Sequence, residues 1–368
     1  MWSVYPKERR SFLTIWVLSL ILIYLGLTAT ALTVIEGEKR AAQKNHALRM
    51  SADKVEAGLT PPDPLPPTGD FVPVTVGLYL DNIDTFSIRD SFWNATFYVW
   101  FRWTGDKKLD PAKNFQLVEA KIDKRDIVEQ YFGEDGVNYQ NVRVTARITK
   151  FFNTTRVPLD DHLLTISFED AERDGTQLRY VADSATNMSS RVKVGGYALT
   201  GFWKVVKPHT YKTSYGDPRV PPGTHKTFTE FVFGVGVKRA GMGLYFKLLV
   251  GLFAGISLTL CSFFIRPSDT SPRFSLPTAS YFGAVANAYL ANSILPSNGQ
   301  FGLIDYVTGL GLFTIFLCTG ASLVSGYFYL VKKEEALSRG IDRATRTTVF
   351  FLYLIANCLL PVAAFTGV

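Results

Sequence analysis

A membrane protein of mixed class is what this sequence predicts: an all-β domain set between one N-terminal membrane helix and a bundle of four more. Three observations carry that reading. Apolar residues crowd positions 12–35 and 240–367 of the 368-residue chain, and the stretch between them has the composition of a water-soluble domain. Inside that stretch, apolar and polar residues alternate with the period of two that marks strands with one buried face. Lys and Arg, finally, crowd the loops on one side of the implied membrane spans, and the short opposite loop Pro296–Leu303 holds none.

The chain divides accordingly into 1–35, a cytoplasmic tip and membrane helix; 36–70, a linker; 71–239, the β domain; and 240–368, the helical bundle. Leu13 to Ile35 is uncharged and about the 20 residues long that a helix needs to cross a bilayer, with Lys7, Arg9 and Arg10 before it, so the N-terminus is expected in the cytoplasm. The rival reading is a signal peptide, because Ala29-Thr30-Ala31 resembles a cleavage site; the length of the apolar run favours a retained helix. Glu36 to Asp70 begins with charged, helix-compatible residues and passes into Pro61, Pro62, Pro64, Pro66 and Pro67, a helical stub followed by a stiff spacer.

Alternation identifies the strands of the β domain. Val72, Val74, Val76, Leu78 and Leu80 share one face; so do Val142, Val144, Ala146 and Ile148, and likewise Leu164, Ile166 and Phe168, then Phe231, Phe233, Val235 and Val237. Many short strands with turn residues between them give a sandwich. Phe97, Val99, Phe101 and Trp103 point inward along another strand and leave Tyr98, Trp100 and Arg102 on its outer face. Those outward aromatics need cover, either from a loop of the same chain or from a second subunit.

Four more spans follow, at about Leu244–Ile265, Leu276–Leu295, Ile304–Val331 and Thr347–Phe365. Alternating sides places Arg266, Arg273, Lys332, Lys333, Arg339, Arg343 and Arg346 in the cytoplasm and the β domain outside it, with no Lys or Arg in the opposite loop Pro296–Leu303. The net charge of +7 is explained by this topology, and nucleic acid is not an expected partner. Cys261, Cys318 and Cys358 all lie in apolar segments, which rules out a disulfide framework outside the membrane. Four scattered histidines lack metal-ligand spacing, and no nucleophile with a base or phosphate-cradling glycine loop stands out. Neither a cofactor nor catalysis is expected.

From about Val72 to the C-terminus the chain resembles the pentameric ligand-gated ion channel family, in its cysteine-free prokaryotic form. The resemblance rests on Phe97–Trp103 running on to Asp106 and Leu109, on the turn Val157-Pro158-Leu159-Asp160, on Lys150 and Leu164 where eukaryotic members place two cysteines, and on Arg239 before the first channel helix. It rests most on Asn292-Ser-Ile-Leu-Pro296 followed by Leu303-Ile-Asp305-Tyr-Val. The family implies an immunoglobulin-like β-sandwich outside the membrane, a four-helix channel domain, a homopentamer, and a bacterial inner membrane with its lipids around it.

By the family's register, the pore would be lined by Ser271, Ser275, Ala279, Phe282, Ala286, Tyr289 and Ser293, with Phe282 and Tyr289 as gates. Ordinary helix packing is the competing account of both aromatics. Pro277 departs from the pattern and should bend or break the pore helix unless it sits in the first turn. An Arg273 ring would favour anions if it faced the pore. Between subunits, Tyr98, Tyr180, Tyr197, Tyr211 and Tyr215 would wall a site for a small-molecule or ion ligand. Coupling to the gate would run through Arg89, Asp160, Asp161 and Arg239, with an Asp160–Arg239 ion pair. The alternative function is a non-conducting membrane sensor or scaffold that keeps the fold.

Overall fold

In the computed structural model, which describes residues 7–56, 59–213, 216, 218, 221, 223–295 and 299–365, the alternating segments form strands and the apolar runs form helices. The first strands are β1 (Val72–Ser87) and β2 (Phe92–Thr104), an antiparallel hairpin. A short helical turn at Lys107–Leu109 and α2 (Pro111–Asn114) lead into β3 (Phe115–Val118), β4 (Ala120–Phe132) and β5 (Val137–Thr149). There follow β6 (Asp161–Asp170), β7 (Leu178–Ala182), β8 (Asn187–Met188), β9 (Tyr197–Tyr211) and β10 (Lys226–Arg239). The long helices are α1 (Lys7–Arg49), α3 (Gly243–Cys261), α4 (Thr270–Asn292), α5 (Leu303–Leu330) and α6 (Glu335–Phe365).

Two units result: one of Ala41–Phe152 and Asp161–Ala240, and one of Met1–Arg40, Asn153–Asp160 and Gly241–Val368. The first holds two sheets, β4-β5-β2-β1-β7 with β8 also on β1, and β3-β6-β10-β9. Val76, Leu78, Phe97, Phe101, Val144, Ile166, Phe231 and Val235 from both sheets are fully or almost fully buried in one core. Each comes from an alternating run, so the inward faces are those the sequence predicts. Phe168 lies at the aromatic centre, with ring centroids 5.0 Å from Phe231, 5.7 Å from Phe115 and 5.9 Å from Tyr180. β4 was not marked by alternation, for a physical reason: it is an edge strand with Ile127, Val128, Tyr131 and Phe132 exposed.

The helical unit follows the same logic at the helical period. Leu13, Leu20, Tyr24, Thr28, Ala31 and Ile35 form a buried stripe on α1 at steps of three, four and seven. Along it Trp16 Nε1 donates to Thr345 Oγ1 at 2.9 Å, the Tyr24 hydroxyl meets Thr314 Oγ1 at 2.6 Å, and Phe12 lies edge-on to Phe328. The α1 segment is therefore a packed member of the bundle, and it continues as helix to Arg49, through the charged stretch read as a helical stub ahead of the prolines. Likewise α6 begins at Glu335, a dozen residues before the expected span, because Leu337, Ile341 and Asp342 bury against the bundle although their neighbours are polar.

Among the described residues four helices are long and apolar enough to cross a membrane: those of Arg9–Arg49, Gly243–Phe264, Leu303–Leu330 and Glu335–Phe365. At 23 residues α4 is long enough, but it falls outside this set. Ser, Thr, Asn and Pro dilute its apolar residues.

Candidate functional site

The two faces of α4 differ in kind. Arg273, Pro277, Ser280, Ala284 and Ala291 are buried at steps of three, four and seven. Small residues let α3 come close: a Cβ on Gly255 would lie 3.3 Å from Ser280 O, and one on Gly251 would lie 2.7 Å from Asn287 Oδ1. Asn287 Nδ2 donates to Leu248 O at 2.8 Å and fixes the register of the two helices.

On the opposite face Ser271, Ser275, Ala279, Phe282, Ala286, Tyr289 and Ser293 are all exposed, Phe282 at 67% and Tyr289 at 80%. Pro272, Thr278, Tyr281, Gly283, Val285 and Leu290 are exposed as well, so α4 is covered along one narrow stripe only. Pro296, from which the predicted register was counted, lies outside the described residues. The helix runs unbroken through Pro277, which is buried; Thr278 and Ser280 hydroxyls donate to Phe274 O and Leu276 O beside it.

Arg273 points away from that stripe. Its Nη1 donates to Asp342 Oδ2 at 2.9 Å and to Ile265 O at 3.0 Å, and its Nη2 to Asp342 Oδ1. Both side chains are buried, so the guanidinium is committed to α6.

At the other end, the loop Asn153–Asp160 belongs to the helical unit. Leu303 N donates to Thr155 O at 2.7 Å, and Thr154 N and Oγ1 both donate to Gln300 Oε1. Gly302 is required here, because a Cβ would stand 2.7 Å from Thr155 O. Asp305 accepts from Gly302 N at 2.8 Å, which caps α5 and explains the acid in that motif. Leu159 is buried in the helical core.

The predicted coupling residues have these neighbours. Asp160 is fully buried, and its charge acts on the buried Arg156, whose pKa burial pushes down. Arg89 is exposed in the β1–β2 turn, Asp161 opens β6 opposite Lys238, and Arg239 lies over the Tyr197 ring at 4.0 Å. Asp160 belongs to the helical unit and Arg239 to the sheet unit.

The five predicted ligand tyrosines separate. Tyr98 is half-buried on the outer face of β2, beside a groove lined by Tyr79, Trp100, Arg102, Tyr139 and Asp183. Trp100 is covered by its own chain: it donates to Asp183 Oδ2 at 2.9 Å and lies on Gly77, where any Cβ would meet the indole at 2.2 Å. Arg102 reaches the same carboxylate at 3.2 Å, and Asp183 is held below the usual carboxylate range by these donors despite its burial. Tyr211 donates to the buried Glu169 at 2.6 Å. Tyr215 lies outside the described residues.

Tyr180 and Tyr197 correct the expectation. Both sit in the sheet core, Tyr180 against Phe101 and Phe168, Tyr197 against Phe86. Side-chain type had suggested an aromatic wall, but strand parity turns them inward. The Tyr180 hydroxyl has no hydrogen-bond partner among the described residues, and burial pushes its pKa well up. Tyr180→Phe is therefore expected to raise stability by up to about 1 kcal/mol, read as a thermal midpoint; a loss of stability would mean that the hydroxyl is hydrogen-bonded in the folded protein.

A second cavity, of about 320 Å³, was not foreseen. It lies on the outer face of the β3-β6-β10-β9 sheet, under the segment that follows α1, and is lined by Arg49, Glu56, Lys150, Lys207, His209 and Glu230 among others. One signal for it was present: Glu230 is an acid in the otherwise apolar run of β10. Burial pushes its carboxyl pKa up.

No protein-family model matches the chain, and no curated protein matches it.

Proposed function

We propose that this chain is one subunit of a pentameric ligand-gated ion channel, with an immunoglobulin-like sandwich outside the membrane and a conduction path lined by α4. The observation that carries the reading is the free face of α4. It presents serines and alanines with Phe282 and Tyr289 among them, on a helix too polar to face lipid all round. Five such faces around an axis make a water-filled conduit, and a ring of Phe282 makes an apolar constriction that closes by dewetting.

Other features support assembly. Edge strand β4 leaves four large apolar side chains uncovered on a single chain, which suits a subunit contact. Exposed residues such as Leu18, Leu22, Phe316 and Leu323 on the apolar helices suit lipid. The basic residues after α3 and α5 suit the cytoplasmic side of a bacterial inner membrane. A small-molecule or ion ligand would act at the groove beside Tyr98. Its signal would reach α4 through Asn153–Asp160, which follows β5 in the chain and bonds to Gln300 ahead of α5 and to Leu303 at its start.

The test is ion flux into liposomes carrying purified protein. Phe282→Ala should raise basal flux at least about tenfold by removing the hydrophobic constriction. Phe282→Ala protein that assembles yet passes neither cations nor anions would reject conduction and favour a non-conducting sensor or scaffold.

A further inference from the structure

The cavity beneath the segment after α1 has an uneven charge distribution. Arg49 Nη2 pairs with Glu56 Oε2 at 2.6 Å, and His209 Nδ1 faces Glu169 Oε2 at 3.1 Å. The Lys207 ammonium donates to Arg49 O at 3.0 Å and feels the charges of Glu230 and Glu56. Lys150 stands apart. It donates to Leu163 O and to Thr165 Oγ1, both neutral, and among the described residues no carboxylate comes within ion-pairing distance. Glu56, already paired with Arg49, and the exposed Glu119 at the rim act on it only through space. A desolvated ammonium with no carboxylate in contact is an expensive arrangement, and it faces empty volume.

Val55, Leu59, Val118, Ile148 and Val232 give the cavity an apolar patch, beside the hydroxyl residues Thr60, Thr149, Thr165, Ser167 and Thr210. A volume of about 320 Å³ suits a small organic molecule. The covering segment is fastened at its far side, where Asp63 N donates to Thr210 Oγ1 at 2.8 Å and Asp63 pairs with His225 at 2.7 Å.

We propose that this cavity is a binding site for a small monocarboxylate with an apolar body, its carboxylate seated on the Lys150 ammonium. The site lies within one chain and on the sheet unit, so it is independent of the pore reading. One anion supplies the missing charge; a dianion would bring a second charge against Glu56 and Glu230. Binding also depends on pH. Burial, with Arg49 adding to it, lowers the Lys150 pKa to about 7, so above neutrality a proton must be taken up before the anion is held. The groups that set this balance are Arg49 and Glu56 after α1, Glu119 beyond β3, Glu169 on β6, Lys207 and His209 on β9, and Glu230 on β10.

Calorimetric titration of the purified full chain in detergent tests this, with benzoate and butyrate as probes and benzamide as the neutral isostere. Saturable binding of benzoate or butyrate, no binding of benzamide, and about tenfold weaker affinity for each pH unit above 8 are expected. Lys150→Met should weaken binding at least about tenfold. Glu230→Gln, which removes an opposing charge and keeps the shape, should tighten it, and this variant serves if Lys150→Met does not fold. Equal binding of benzoate and benzamide, a flat pH profile, or no binding of either carboxylate at 10 mM, a concentration about ten times that at which millimolar affinities are read, overturns the proposal.

Discussion

Replacing Asp342 with Leu will destabilise the helical unit by about 3 to 5 kcal/mol, because it leaves the Arg273 guanidinium buried without its counter-charge. The geometry leaves little room for another outcome. Arg273 is 1% exposed, donates two bonds to one carboxylate and a third to Ile265 O, and lies 5.6 Å from the Phe263 ring, with no second acid in contact among the described residues. Thermal unfolding in detergent should show the midpoint falling by about 10 °C at a few degrees per kcal/mol. The double variant Arg273→Met with Asp342→Leu removes both charges and should recover most of the loss. If the single variant unfolds like the native protein, the pair is absent in solution. A guanidinium committed to α6 is not available to the exposed face of α4, so neutralising Arg273 should act on stability alone.

The sequence makes legible whatever one periodicity controls. β1, β2, β5 and β10 were marked by alternation because one face of each is buried against the other sheet. The buried stripe of α4 follows the helical period, but its small residues Ser280, Ala284 and Ala291 do not mark it out by hydrophobicity. Where two contexts share one residue type, the pattern fails. Tyr98 and Tyr180 are both strand tyrosines, yet Tyr98 borders a groove and Tyr180 fills the core, since position in the strand decides and aromatic character does not. The start of α6 was hidden because Ser338, Asp342 and Thr345 are buried polar residues, satisfied by partners such as Arg273 and Trp16 that lie far away in sequence. The charged cavity was hidden for the same reason. Lys150 follows β5 and Glu230 lies eighty positions later on β10, and only the strand order, with the return of the chain after α1, brings them to one face.

That cavity also determines how the sheet unit responds to pH. Lysine in the unfolded chain keeps its proton to about pH 10.4, whereas folded Lys150 releases it near 7. Between those values the unfolded state holds more protons, so stability rises with pH, by about 1.4 kcal/mol per unit while this one group titrates. Lys207, also lowered by burial, adds in the same sense. On the acid side the slope reverses. His209 is raised by its hydrogen bond to Glu169, so its contribution is present below about pH 6.5 and disappears as pH climbs through the folded value. Glu230, raised by burial, likewise loses stability as pH rises from the ordinary carboxylate range through its folded value. The cluster thus contributes least near neutrality. Lys150→Met isolates the largest share: it should stabilise the protein by up to about 4 kcal/mol at pH 7 and by less than about 1 kcal/mol at pH 10. This is an upper bound, because the stem of Lys150 keeps some exposed surface. Denaturant unfolding of both proteins at pH 7, 8.5 and 10, without added carboxylate, should give curves that converge toward alkaline pH. Parallel curves would mean that the ammonium is hydrated in the folded chain and that the cavity is open to water at Lys150.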